Sequence, residues 1–148
     1  MDRRKFLNLS VFAMVAVPAS LSAIDFRETK PDTWTAKTVE DSIKALYGDV
    51  KLEESGVKVK APTVAANGGA VPVSVKSDIP AKTVALFQDA NPEAAVAVFS
   101  VAEGGIVDYS LKIKMKSTGK ITAILEGTDG KFYMGYQSLE VAKGGCEG

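Results

Sequence analysis

From Val57 onward the chain alternates between apolar and polar positions with the period of two that a half-buried strand requires. The clearest run is Val107 to Lys116. Val107, Tyr109, Leu111, Ile113 and Met115 fall on one face, and Asp108, Ser110, Lys112, Lys114 and Lys116 on the other. Val71, Val73 and Val75 alternate with Pro72, Ser74 and Lys76 in the same way. Further strands are predicted over Val57 to Ala61, Thr83 to Gln88, Ala94 to Val101, Ile121 to Glu126 and Phe132 to Val141. Turn residues separate them: Asn67-Gly68-Gly69, Asn91-Pro92, Glu103-Gly104-Gly105, Thr118-Gly119, and Asp129-Gly130, which signals a two-residue hairpin. About seven short strands at this spacing predict an all-β chain folded as an antiparallel β-sandwich. In the last strand Phe132, Met134 and Tyr136 share one parity and Leu139 and Val141 the other, which predicts a bulge near Gln137-Ser138.

Two stretches break the alternation. Val39, Ile43, Leu46 and Tyr47 recur at helical spacing, with Thr38 placed to cap the start, Glu40 and Asp41 in the first turn, and Gly48 at the end. A short amphipathic helix packed on a sheet edge follows. Ala94 to Val101 is apolar on both faces, whereas an antiparallel sandwich leaves one face wet. That strand is expected either under the helix near Ile43 or against another subunit.

The first 23 residues have the character of an export signal: Arg3 and Arg4 precede Phe6 and Leu7, an apolar run from Leu9 to Val17 follows, and small residues offer a cleavage point near Ser22 or Ala23. The run is shorter than the ~20 residues a bilayer span needs, so no stable membrane anchor is expected. The adjacent arginines followed by Phe-Leu are similar to a twin-arginine signal, which predicts export of a folded protein to the periplasm. The organisation expected is a signal at 1–23, a β-sandwich at 24–141 and a flexible arm at 142–148. Formal net charge is zero over 148 residues. Without the signal, fifteen basic residues stand against seventeen acidic ones, which gives no support for nucleic-acid binding.

The chain has no histidine and one cysteine. Imidazole-dependent nucleophile pairs and a structural zinc site are thereby excluded, and no cofactor or metal is expected. The cysteine, Cys146, stands behind Gly144 and Gly145 and ahead of Glu147 and Gly148. Glycine pairs at a chain end are poorly tied down, so the placement provides reach rather than packing. From residue 142 to Cys146 the arm extends roughly 15 Å at about 3.3 Å per residue. A lone cysteine in an exported chain implies a partner thiol or a reactive one. Glu147 beside it disfavours the thiolate. Trp34, Tyr47, Tyr109, Phe132 and Tyr136 are expected as core or interface aromatics. Lys112, Lys114 and Lys116 are expected as a solvated strand face, with steering of an anionic substrate or an acidic partner as the functional alternative.

Together the twin-arginine pattern, the antiparallel β domain and the Gly-Gly-Cys tail resemble SoxY, the sulfur-carrier subunit family of bacterial thiosulfate oxidation. The segments Asn67 to Val73, Leu86 to Pro92 and Asp129 to Met134 also resemble stretches of that family, whose tail usually reads Gly-Gly-Cys-Gly-Gly, so Glu147 is a departure. The resemblance implies an immunoglobulin-like sandwich paired with a SoxZ-like subunit. It implies a non-catalytic carrier whose Cys146 holds sulfur intermediates covalently. It further implies a c-type cytochrome that joins thiosulfate to the thiol, a hydrolase that releases sulfate, and a sulfur dehydrogenase acting on what remains. Two other classes fit the residues alone: an exported structural or adhesive sandwich using Cys146 for an intermolecular disulfide, and a thiol enzyme, which the missing histidine disfavours.

Overall fold

The polar entry to the chain winds into two helical turns before the predicted helix begins. The computed structural model describes residues 24–142. Helix α1 (Phe26–Thr29) is capped by the Asp25 carboxylate, which accepts from the Arg27 and Glu28 amides. Helix α2 (Pro31–Thr35) follows with proline in its first turn, where no amide is missed. Trp34 is half-buried here, its indole N–H donating to the Phe26 carbonyl at 3.0 Å under the Arg27 guanidinium, 4.2 Å from the ring. Helix α3 (Val39–Tyr47) is the one the periodicity predicts. The Thr38 hydroxyl accepts from the Asp41 amide at 3.1 Å, and Gly48 ends the helix with φ 80°. The buried Ser42 hydroxyl donates to the Thr33 carbonyl at 2.7 Å and locks α2 onto α3.

Among the described residues nine strands follow, in two sheets. They are β1 (Leu52–Glu53), β2 (Lys58–Lys60), β3 (Val64–Ala65), β4 (Val71–Ser77), β5 (Ala81–Gln88), β6 (Ala95–Ser100), β7 (Val107–Ile113), β8 (Gly119–Gly127) and β9 (Phe132–Val141). The larger sheet runs β1-β9-β8-β5-β6 with β3 also beside β9; the smaller runs β2-β4-β7. The immunoglobulin-like sandwich is therefore present. The two extra strands are two-residue elements, too short for a periodic signal, and both pair with β9 in parallel rather than antiparallel.

Valines 71, 73 and 75, Leu86, Met115, Ile121 and Leu125 fill the space between the sheets. A second core lies on the outer face of the larger sheet, where Ile43 and Leu46 of α3 cover Ala85, Phe87 and Ile124 of the inner strands β5 and β8, so the helix packs on the face of the sheet and not on its edge. This second layer explains two sequence patterns. Ala95 and Val98 of β6 pack toward the helix while Val96 packs into the main core, so the strand is apolar on both faces, as expected for a strand under the helix. In β9 the predicted bulge is absent: pairing with β8 runs unbroken from Gly119↔Leu139 to Glu126↔Phe132. Phe132 and Met134 face α3, whereas Tyr133, Leu139 and Val141 face the other sheet. The parity changes because a different layer covers each end of one regular strand.

The β8–β9 turn also differs from the two-residue expectation. The Gly127 amide donates to the Lys131 carbonyl at 2.8 Å, leaving a three-residue loop. Gly130 has φ 81° and, among the described residues, no non-glycine residue has positive φ, so the two-residue turn that needs both central residues left-handed does not form.

Candidate functional site

The sequence singles out the C-terminal arm. Cys146, Gly144, Gly145, Glu147 and Gly148 lie outside the described residues, as do Arg3, Arg4, Phe6 and Leu7 of the N-terminal segment. The structure describes the chain up to Ala142, the root of the predicted arm.

That root is held from both sides. On one side β8 pairs with β9, and the Thr118 hydroxyl accepts from the Val141 amide at 3.0 Å. On the other, β3 lies parallel with Val64 opposite Glu140 and Ala65 opposite Val141. The Glu140 amide donates to the Thr63 carbonyl and the Ala142 amide to the Ala65 carbonyl, each at 2.9 Å. Backbone bonds thus continue to Ala142, four residues before Cys146. Leu139 is buried at 2% exposure and pins the strand to the core.

The chain reaches β3 by an unusual path along β9. It enters the larger sheet as β1, crosses to the smaller sheet as β2, and returns as β3. Two residues of β9 make the crossing possible. Gly135 lets the Val57 backbone approach so closely that a Cβ there would overlap the Val57 carbonyl. Gln137 holds the exit from β2 with both ends of its amide: its oxygen accepts from the Ala61 amide at 3.1 Å and its nitrogen donates to the Ala61 carbonyl.

Beside the root lies a shallow groove lined by Thr63, Asp89, Thr118, Lys120, Ser138 and Glu140. Asp89 shapes one wall, accepting from the Lys120 amide at 2.7 Å. The Lys120 ammonium sits 5.1 Å from the Tyr136 ring, and Tyr136 is 47% exposed. A hydrogen bond to Glu54 holds the Tyr136 phenol above its ordinary value. Among the described residues no group of three or more Asp or Glu side chains is arranged to hold a metal ion. No described helix is long and apolar enough to cross a membrane.

The other predicted candidates are spread over the fold. Tyr47 packs at 5.0 Å from Phe132, and its hydroxyl lies 2.7 Å from that of Thr83, which donates on to Glu126. Burial pushes the Tyr47 phenol up, the Thr83 hydrogen bond opposes this, and Glu126 adds to it. Tyr109 stacks on Phe99 at 4.7 Å between β7 and the edge strand β6. Tyr47 and Phe132 pack together against the core under α3 and Tyr109 against the main core, as expected, whereas Trp34 and Tyr136 belong to neither core. Lys112, Lys114 and Lys116 are exposed, on strand and strand end, with Ile113 and Met115 buried between them. Sequence reasoning missed that Lys58, Lys60 and Lys76 occupy the same outward face. The registers Lys58↔Lys76, Lys60↔Ser74 and Pro72↔Lys112 bring them there. The signal available was the alternation in Lys58-Val59-Lys60.

A family model described as "Sulfur oxidation protein SoxY" matches residues 43–146, a stretch that ends at the cysteine. Among solved structures, the chain is similar to the sulfur carrier protein SoxY from Chlorobium limicola f thiosulfatophilum. Identity is 32% and the TM-score 0.64, with 70% of this chain and 94% of that chain covered. A superoxide reductase (neelaredoxin) from Ignicoccus hospitalis shares the fold at 17% identity and a TM-score of 0.53, over 59% of this chain and 80% of that one. The search of curated protein sequences found no match.

Proposed function

The chain belongs to the SoxY family of sulfur oxidation proteins and acts as a sulfur carrier, and from that premise we propose that Cys146 is the carrying group. One observation supports this reading above the others: the chain stays hydrogen-bonded to its neighbours as far as Ala142, and the matched family stretch runs on to Cys146. A fixed root with a short glycine-bearing arm suits a thiol that must enter the active sites of several enzymes while its own domain stays outside.

In the proposed cycle the Cys146 thiol and thiosulfate join through a new S–S bond, losing one proton and two electrons to a c-type cytochrome. A hydrolase then adds water across the S–S bond to the terminal sulfonate. Sulfate and a proton leave, and a persulfide stays on Cys146. A sulfur dehydrogenase then takes six electrons from the outer persulfide sulfur, three waters supply its oxygens with release of seven protons, and hydrolysis of the resulting S-sulfonate frees a second sulfate and restores the thiol. S–S linkages suit this traffic because they form and exchange through thiolate attack. The chain itself supplies no catalysis. Its proposed location is the periplasm, reached through the Arg3-Arg4 signal, in a heterodimer with a SoxZ-like subunit.

The test is intact-protein mass spectrometry of the exported chain, purified without reductant from thiosulfate-fed cells. The expected result is a set of added masses for thiosulfonate and extra sulfur, lost on reduction and absent from Cys146→Ala. An unmodified thiol, or a disulfide dimer indifferent to thiosulfate, would reject the carrier chemistry and favour an intermolecular structural disulfide.

A further inference from the structure

The outward face of the β2-β4-β7 sheet carries a charge pattern that the carrying thiol does not explain. Six lysines stand on it: Lys58, Lys60, Lys76, Lys112, and Lys114 with Lys116 where the alternation continues past β7. They come from three stretches far apart in sequence, so only the register assembles them. The described residues hold fourteen Lys or Arg and sixteen Asp or Glu. Setting aside these six lysines with Asp78 and Asp108, which border the same face, leaves eight basic residues against fourteen acidic ones. Positive charge is gathered on one face of an otherwise acidic body.

The face is itself graded. Lys58 and Lys76 stand at one end with Asp78 and Asp108, and the Lys76 ammonium is 3.7 Å from the Asp108 carboxylate. Lys60, Lys112, Lys114 and Lys116 stand at the other end and make no ion pair with any described residue. Between Lys60 and Lys112 lies a shallow open groove floored by Pro72, Ser74 and Ser110 and bounded by Pro62. This is also the end from which the chain runs through Pro62 and Thr63 into β3, the strand that holds the arm root. Gln137 of β9 bonds Ala61 at the groove wall.

We propose that this groove and its lysines are a docking surface for an acidic face of one of the enzymes of the proposed cycle, the one that joins thiosulfate to Cys146. The inference rests on the carrier reading above and adds to it the surface and the partner's chemistry. A small oxyanion is the poorer occupant: the floor between Lys60 and Lys112 is open, and neither Ser74 nor Ser110 on it is a buried polar group that would fix one ion. An anionic membrane is poorer too, because the acidic remainder of the body opposes approach at distances of about a Debye length, about 8 Å at physiological salt. An acidic protein surface meets the patch locally and gains both on-rate and orientation from it. Docking at this end brings the partner's cleft to the root of the arm.

The test adds purified full-length chain back to the exported-protein fraction of thiosulfate-grown cells depleted of it. The chain concentration for half-maximal thiosulfate consumption is measured at several ionic strengths. Three chains are compared: wild type, Lys60→Glu/Lys112→Glu/Lys114→Glu, and a control of equal net charge, Lys51→Glu/Lys82→Glu/Lys131→Glu. Thermal melting and iodoacetamide labelling of Cys146 show that fold and arm are intact. The face variant is expected to need about tenfold more chain and to lose most of the salt dependence, with the control within about twofold of wild type. Equal behaviour of the two variants overturns the proposal. So does a face variant that matches wild type in turnover but alone fails to sediment with phosphatidylglycerol vesicles, which assigns the patch to a membrane. If wild type takes up no thiosulfate-derived mass on Cys146, the carrier reading fails and the docking surface falls with it. If mass is taken up equally by all three chains, only the docking surface falls.

Discussion

Gly135 lies where the chain entering β2 passes close over β9, so that an added Cβ would overlap the Val57 carbonyl. Gly135→Ala therefore forces the sheets apart at the crossing that leads to the arm root. The expected cost is about 1–3 kcal/mol, the range for overpacking a well-filled core. Urea unfolding checks it: the midpoint falls while the slope stays, and an unchanged midpoint would mean that β2 has shifted at no cost. Some residues at this scale are legible in the sequence. Thr38 and Gly48 announce themselves as helix ends because capping is local chemistry. Gly135 and Gln137 do not, since what each touches lies some 75 positions away in the chain.

At the scale of elements, the β8–β9 loop shows how a turn is held by its own side chains. The Tyr133 hydroxyl donates to Asp129 at 2.7 Å, and the second Asp129 oxygen accepts from the Lys131 amide at 2.9 Å. The Tyr133 hydrogen bond, then the Lys131 amide, hold the Asp129 carboxyl below its ordinary value, and the same bond to Asp129 pushes the Tyr133 phenol up to about 12. The signs set a window. Asp129 supports the loop above the ordinary carboxylate value of about 4, and that support is lost as pH falls through its lowered value. Tyr133 supports it below the ordinary phenol value of about 10, and that support is lost as pH rises through about 12. Tyr133 ring resonances followed by NMR are expected to titrate near 12, and Asp129→Asn to return them toward 10; a wild-type midpoint already near 10 would show the bond absent in solution. The strands themselves were legible because alternation is local. What covers a strand was not: the parity change in β9 reads as a bulge until α3 is seen lying over Phe132 and Met134.

For the whole molecule, protection should follow the layers. β5 and β8, inside the larger sheet and covered on both faces, are expected to hold the slowest-exchanging amides, and α1 and α2 the fastest. The informative amides are Val141 and Ala142. Their bonds to Thr118 and Ala65 predict hydrogen exchange within about tenfold of the middle of β9. Exchange at the rate of an unstructured peptide would mean that the arm begins earlier, near Leu139. Cys146 and its glycines stand out in the sequence, and they lie outside the described residues. The root of the arm was not legible, because β3 has only two residues and its partner is β9, far along the chain. The basic face was half legible: Lys112, Lys114 and Lys116 show in the alternation, but only the pairing of β2 with β4 adds Lys58 and Lys60.

The double clamp on β9 also has a mechanical meaning. A partner that grips the arm and withdraws pulls along the axis of β9. The ladder bonds on both flanks lie across that axis, so the load falls on many of them at once, in shear. A terminal strand peeled from one side would instead part bond by bond. The domain can therefore be tugged repeatedly by the end of its chain, once per visit, without unravelling from that end.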